Sequence, residues 1–339
     1  MFHHHTTVTS VRILRRLFGS VAFGALVVTP ALTSSAASAQ AFPSKPVKLV
    51  VPYPAGGFPD TVARVMAKAL TEKWNQQVVI DNRPGGNGAV AAQTVKAAPA
   101  DGYTLLVTDG SMFTINPALY AKLEYDAKKD FLPVSALAKA PLFLTAHPSL
   151  PANTFAEFVA YVKANPGKVN YASSGIGSTH HLSTEAMSAA LGLKMVHVPF
   201  KGMGQAVPAL VGGQVQVLFS ALPATVGFVK DNRLKLLVQN SNKRFSGAPT
   251  IPTLAESAIP GFDFAPTTIV MAPSGTPPAV MRQLSLDAAA AARSASVAET
   301  LLNSGVEVIG STSEELAKVL QDEAERFAKV IKTINIKAD

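Results

Sequence analysis

The sequence predicts an α/β protein built on two mostly parallel sheets flanked by helices, and three observations carry that prediction. Apolar runs of strand length alternate with stretches of helical period. Glycine-containing turns join the two kinds of segment. The 339 residues, at roughly 150 per domain, suffice for two hydrophobic cores. With 48% hydrophobic and 15% charged residues the chain can fill such cores, which excludes disorder, collagen and a coiled coil.

Along the chain, Val47 to Tyr53 reads as a buried strand and Pro54 to Pro59 as a turn. From Asp60 onward Val62, Val65, Met66, Ala69, Leu70 and Trp74 share one helical face. Val78 to Ile80 is a short strand, Asn87 to Ala97 a helix, and Tyr103 to Thr108 a strand running into a polar loop at Asp109-Gly110-Ser111. Leu142 to His147 is extended, and Thr154 with Glu157 forms a capping box for a helix that stops before Asn165-Pro166-Gly167. Val169 to Ala172 is a strand, Ser173 to Gly177 a glycine turn, and Ser178 to Leu191 a helix. Met195 to Val198 and Val215 to Phe219 are strands around a helix over Ala206 to Val211. Leu234 to Val238 is expected as the last strand before a Pro/Gly-rich passage from Pro249 to Pro278. The C-terminal portion is helical, with Thr312 and Glu315 capping a stripe of Leu316, Val319, Leu320, Phe327, Val330 and Ile331. Such repeated units imply parallel pairing under helices.

The N-terminus has the order of a secretory signal peptide over 1–39: Arg12, Arg15 and Arg16, the apolar run Leu17 to Val28, then small residues ending in Ala37-Ser38-Ala39. Cleavage is expected after Ala39 or Ala41, and the periplasm is the expected destination. The adjacent Arg15 and Arg16 also fit a twin-arginine signal, and the general secretory route is favoured over it. The apolar run falls short of the ~20 residues that span a bilayer. Removing the leader reduces the net charge from +8 to +5. No run of Lys/Arg interleaved with aromatics remains, so a nucleic-acid partner is not expected. The absence of cysteine excludes thiol nucleophiles, thiolate zinc sites and iron–sulfur clusters.

Chemistry concentrates at two turns. Gly56 and Gly57 allow positive φ and close backbone approach, and the helix that follows presents unpaired N–H groups and a partial positive charge. An anion is the natural guest; the competing reading is a plain turn with Asp60 as helix cap. A second turn, Ser173 to Ser178, repeats the design with hydroxyl donors and favours the anion. No phosphate loop, H-E-x-x-H helix or G-x-S-x-G elbow occurs, and neither Gly175-Ile176-Gly177 nor Gly202-Met203-Gly204 continues to a dinucleotide fingerprint. No cofactor, metal or catalytic residue is therefore expected. His147 and His197 read as structural, whereas His181 reads as either a cleft hydrogen-bonding group or a cap of the preceding loop.

The turns also carry a family resemblance. Pro52-Tyr53-Pro54-Ala55-Gly56-Gly57 with Asp60, Asp81-Asn82-Arg83-Pro84-Gly85, Ala98-Pro99-Ala100-Asp101-Gly102-Tyr103 and Ile115-Asn116-Pro117-Ala118-Leu119-Tyr120 set its pattern. Asn170-Tyr171-Ala172-Ser173-Ser174-Gly175, His181-Leu182, His197-Val198-Pro199-Phe200-Lys201-Gly202, Leu210-Val211-Gly212-Gly213 and Ala272-Pro273-Ser274-Gly275 continue it. In these motifs the sequence resembles the Bug-type extracytoplasmic solute-binding receptors of tripartite tricarboxylate transporters. The resemblance implies a two-lobed, Venus-flytrap fold: 42–141 with 262–339 as a discontinuous first lobe, and 142–261 as the second. It implies a monomer that captures a small organic acid and hands it to membrane permease subunits. It places Tyr53, Ala55, Gly56, Gly57, Phe58 and Asp60 in the ligand site, with Thr108, Asp109 and Ser111 after the third strand. Ser173, Ser174, Gly177, Ser178 and His181 come from the second turn, and Phe219, Ser220 and Ala221 complete the pocket.

Four positions depart from the family's usual pattern: Ala55 and His180 replace prolines, Phe58 replaces a small residue, and Ser220 stands where an Asp is common. Without that Asp, and with Asp109-Gly110 also readable as an Asx turn, the expected ligand lacks an ammonium group. A dicarboxylate or an aromatic acid lying against Phe58 meets that description. A secreted hydrolase or lyase acting on a small organic acid is the alternative from another class.

Overall fold

The computed structural model describes residues 42–336, so the expected leader and both cleavage positions lie outside the described residues. Eleven strands follow one another: β1 (Val47–Val51), β2 (Val78–Asn82), β3 (Thr104–Asp109), β4 (Phe131–Lys139), β5 (Leu142–Ala146), β6 (Asn170–Ser173), β7 (Val196–Pro199), β8 (Val217–Ala221), β9 (Lys235–Gln239), β10 (Thr267–Pro273) and β11 (Glu307–Val308). They form two sheets, ordered β11-β4-β10-β3-β1-β2 and β7-β6-β8-β5-β9. The fold is the two-lobed periplasmic-binding-protein architecture.

The sheets are mixed rather than mostly parallel. β1 pairs in parallel with β2 and β3, and β6 with β7 and β8. β10 runs antiparallel to both β3 and β4, and β5 runs antiparallel to both β8 and β9. The reason is topological. β4 passes into β5 through a two-residue joint with no crossover helix, and the chain returns to the first sheet as β10. Parallel neighbours need a long crossover, so strands that pass directly between sheets take the opposite direction.

Sequence reasoning missed β4, β10 and β11: β9 is the last strand before the Pro/Gly-rich passage, as expected, but β10 lies inside that passage and β11 beyond it. Every residue of β10 is buried, inside the passage whose prolines read as a loop. The helix Leu222–Lys230 was likewise not foreseen. Elsewhere local rules hold. The helix Phe58–Trp74 buries Val62, Ala63, Met66, Ala67 and Leu70 and ends on Asn75 at φ +49°. Thr312 and Glu315 form the expected capping box of the helix Ser313–Ile334, which buries Leu316, Phe327 and Ile331 but leaves Val319 exposed. Thr154 accepts the Glu157 amide, whereas the Glu157 carboxylate takes the Asn153 amide instead of closing the box.

Hydrophobic clusters cover both faces of each sheet. The C-terminal helix joins them: Leu316 packs with the core of the first sheet, and Phe327 and Ile331 with that of the second. Ile115 and Leu119, which follow β3, also pack with the second sheet's core.

Candidate functional site

β1 delivers the first turn to the end of its sheet. Gly56 sits at φ +89°, where only glycine is unstrained, but Gly57 is the helix N-cap at φ −74°. Positive φ is thus needed at one of the two glycines, not both. A Cβ on Gly57 would meet nothing closer than the Pro54 carbonyl at 3.7 Å, so the space beside it is open.

Asp60 is not the cap the sequence suggested. It is the third residue of the helix, almost fully buried, and reaches back to accept the Gly56 amide at 2.8 Å. Arg64 Nε and Asn82 Nδ2 also donate to it at 2.8 Å, and Asn82 donates to the Tyr53 carbonyl at 3.0 Å. Burial would raise this carboxyl, but the bonds from Arg64, Gly56 and Asn82, with the charge of Arg64, outweigh it and hold the group below its ordinary range. Asp60 therefore fixes the turn's shape. Phe58 is half-buried and packs on the core of the first sheet.

The loop after β3 is tied to this turn. The Tyr53 hydroxyl donates to Asp109 Oδ2 at 2.6 Å, and Asp109 Oδ1 accepts the Ser111 amide at 2.9 Å and the Ser111 hydroxyl. This is the Asx-turn geometry, and it engages both carboxylate oxygens. Burial and the Asp109 carboxylate push the Tyr53 phenol well above its usual value. Thr108 is fully buried, its hydroxyl on the Met112 sulfur at 3.1 Å. Sequence reasoning missed Glu323, whose Oε2 would lie 3.2 Å from a Cβ on Gly110. Burial raises its carboxyl to about 7; Arg326 and Lys139 oppose the shift, and Asp263 and Asp109 reinforce it.

The second turn stands at the end of β6. Gly175 and Gly177 take φ +129° and +77°, and a Cβ on Gly177 would fall 2.1 Å from Leu119 Cδ2. Gly177 therefore lies close against Leu119, in the segment following Asp109 and Ser111. Ser178 caps the helix Thr179–Leu191 by accepting the His181 amide and donates to the Gly175 carbonyl at 2.8 Å. Ser173 is buried, with its hydroxyl on His197 Nε2 at 2.7 Å, and Ser174 meets His180 Nδ1 at 2.8 Å. His181 Nδ1 accepts the Gly177 amide at 3.1 Å, so the loop-holding reading of that residue is realised. Its ring is stacked on His197, a residue that strand alternation alone marked as structural. Register in β6 and β7 places Tyr171 opposite His197, a pairing no local motif encodes.

Phe219 and Ser220 are fully buried because β8 is an interior strand covered on both faces. The Ser220 hydroxyl meets Thr145 Oγ1 at 3.0 Å and Thr225 Oγ1 at 3.3 Å. Only at Ala221, the N-cap of the next helix, does this segment become partly exposed. Among the described residues no group of three or more His, Asp or Glu is placed to hold a metal ion. No described helix is long and apolar enough to cross a membrane.

What the assembly offers is backbone. The amides of Phe58 and Asp60 at one helix start, and of Thr179 and His180 at the other, find no protein acceptor among the described residues. Neither turn contains Arg or Lys. Two such helix starts on a two-lobed α/β frame are the arrangement expected of a solute-binding protein of the periplasmic class.

Residues 62–336 match the tripartite tricarboxylate transporter family receptor model. The chain belongs to that family and is a Bug-type receptor. It is similar to the R. palustris protein Rpa4515, solved with adipate, at 34% identity and a TM-score of 0.78, covering 87% of this chain and 99% of that one. The periplasmic binding protein BugD shares 29% identity at a TM-score of 0.74, over 88% of this chain and all of BugD. MatC from Rhodopseudomonas palustris, solved with bound malate, shares 32% identity at a TM-score of 0.72, over 86% of this chain and all of MatC.

Proposed function

We propose that this receptor captures a small organic carboxylate between two lobes, 42–141 with 262–339 and 142–261, and presents it as a monomer to membrane permease subunits in the periplasm. The observation that carries the reading is the pair of glycine turns, each opening a helix whose first amides lack acceptors, with no cationic side chain in either. Oriented N–H groups and helix ends then supply the field that holds the anion. The structures of relatives with adipate and with malate support this ligand class.

The ligand lacks an ammonium group. Both Asp109 oxygens accept bonds from Tyr53 and Ser111, and the Ser220 hydroxyl is buried among Thr145 and Thr225, so bonds within the protein account for both side chains without a ligand cation. Aliphatic dicarboxylates and aromatic acids fit. Closure about the joints at 139–142 and 262–267 brings the two turns onto one ligand.

A thermal-shift screen of aliphatic and aromatic acids, each beside its amino counterpart and each with a product assay, tests the reading. Stabilisation by the acids that carry no amine, without turnover, is expected. Tighter binding of the amino compounds, lost in Asp109→Asn, overturns the ligand assignment, and turnover overturns the receptor reading. Small-angle scattering with a bound acid should show a smaller radius of gyration, and an unchanged profile at saturation contradicts closure.

A further inference from the structure

Behind the second turn three rings are stacked. His181 and His197 lie 3.9 Å apart between ring centroids, with planes within 10° of parallel. His197 and Tyr171 lie 4.8 Å apart, within 14°. Each ring also has a polar edge engaged. The Tyr171 hydroxyl donates to Glu185, His197 Nε2 meets Ser173 Oγ at 2.7 Å, and His181 Nδ1 accepts the Gly177 amide at 3.1 Å. A ring nitrogen that accepts an N–H carries no proton, so His181 holds its proton on Nε2.

His197 therefore touches the turn by two routes. Through Ser173, whose hydroxyl accepts the Gly175 amide at 3.1 Å, it reaches the glycine at φ +129°. Through its face it reaches His181 and hence the glycine at φ +77°. Both glycines sit in backbone regions that an unsupported chain leaves readily.

We propose that His197 is a positioning residue for ligand capture: it locks the Ser173–Gly177 turn by bonding Ser173 with its edge and holding the His181 ring against the Gly177 amide with its face. The proposal rests on the second turn being part of the ligand site. Its function requires both imidazoles to be neutral, because a proton on His181 Nδ1 would eject the Gly177 amide, and protonation of both rings would set two cations face to face. Burial supports this by lowering both rings to about 4, with the facing His197 adding to the effect at His181. The titratable groups around the pair are Tyr171, whose phenol is raised by burial and Glu185, Glu185 itself, and His180, bonded to Ser174. From the segment after β3, the residue packed on Gly177 is the uncharged Leu119.

The test compares His197→Phe, which keeps a stacked ring but loses the Ser173 bond, with His197→Gln, which keeps a bonding edge but loses the stack. Nitrogen-15 NMR of the free wild-type protein should show His181 with its proton on Nε2 at pH 7, titrating only near pH 4. In His197→Phe the His181 midpoint should rise, and amide exchange at Gly175 should quicken by roughly tenfold while Gly177 stays protected. In His197→Gln the quickening should move to Gly177. Ser173→Ala should reproduce the Gly175 effect alone and serves if either His197 variant fails to fold. A protonated Nδ1 on His181 in the wild-type protein, or unchanged exchange at both glycines in the variants, overturns the proposal. Adipate is the affinity probe, with a loss of about tenfold expected in both His197 variants. Failure of adipate to bind the wild-type protein counts against the ligand reading, and the exchange and tautomer results, taken without ligand, still decide the role of His197.

Discussion

At the first turn, Asp60 gathers the Gly56 amide, Arg64 and Asn82 around one buried carboxylate, whereas at the second turn Ser173, Ser178, His181 and His197 do the same work without a formal charge. Both turns deliver a glycine at positive φ to the start of a helix. On the proposed function both turns hold the anion with backbone, and the comparison separates the rigidity of each scaffold from the charge it carries. Charge also sets the conditions each turn tolerates. An Asp60 carboxyl held below 3.8 supports the first turn until the solution becomes strongly acidic. Neutral histidines lowered to about 4 support the second only while they stay unprotonated.

The largest break is expected at Gly177. Val there must leave φ +77° or force aside Leu119 Cδ2, so Gly177→Val should lose ligand and about 2–4 kcal/mol of stability, measured by calorimetry and urea unfolding. Leu119→Ala in that background should recover only part of the loss, since the backbone strain persists. Asp60→Ala takes the carboxylate acceptor from the Gly56 amide, Arg64 and one Asn82 N–H and should cost about 1–3 kcal/mol in urea unfolding, with the second turn's amide exchange unchanged.

Acid separates the turns. Between pH 6.5 and about 4 the unfolded chain's histidines take up protons that folded His180, His181 and His197 refuse, so their contribution to stability falls as pH falls. Asp60 loses its contribution only as pH drops through 3.8 and below. Glu323, raised to about 7, acts in the opposite sense, because its folded form binds the proton more tightly and stability from it grows on acidification. The local readout is therefore the informative one: with each observed rate compared with the intrinsic exchange rate at the same pH, lowering pH from 6.5 to about 4.5 should reduce the protection of the Gly177 amide and leave that of Gly56 unchanged. Equal loss of protection at both would erase the distinction. The smallest effect is expected for Tyr53→Phe, which removes one of the bonds to Asp109 and should cost about 1 kcal/mol or less in urea unfolding.

The strands that end in the turns were legible because each couples an apolar run to a glycine and a helical period, as Val47 to Gly57 and Val169 to Gly177 do. β4 and β10 were not. Their pairing is with each other across more than a hundred residues, and prolines at 133 and 273 disguise them as loop. At the site, Arg64 stands one helical turn from Asp60 and was within reach of sequence reasoning, but Asn82 arrives from the neighbouring strand. The buried state of Thr108, Ser173, Phe219 and Ser220 follows from sheet order, which local periodicity does not encode. His197 was read as structural and makes structural contacts, but its partners Tyr171 and His181 come from β6 and the helix beyond it and were not legible.

Calorimetric titration of the wild-type protein and of Gly57→Val with a panel of aliphatic dicarboxylates and aromatic acids tests the central claim most directly. Gly57 is at φ −74° with open space beside it, so the fold accommodates Val, whose side chain on the proposed function would fill the space through which backbone approaches the ligand. The account predicts that at least one acid binds the wild-type protein and that Gly57→Val, with an unchanged melting temperature, binds that acid at least about a hundredfold more weakly. Equal affinity in the two proteins, or no binding of any acid to the wild-type protein, would contradict it.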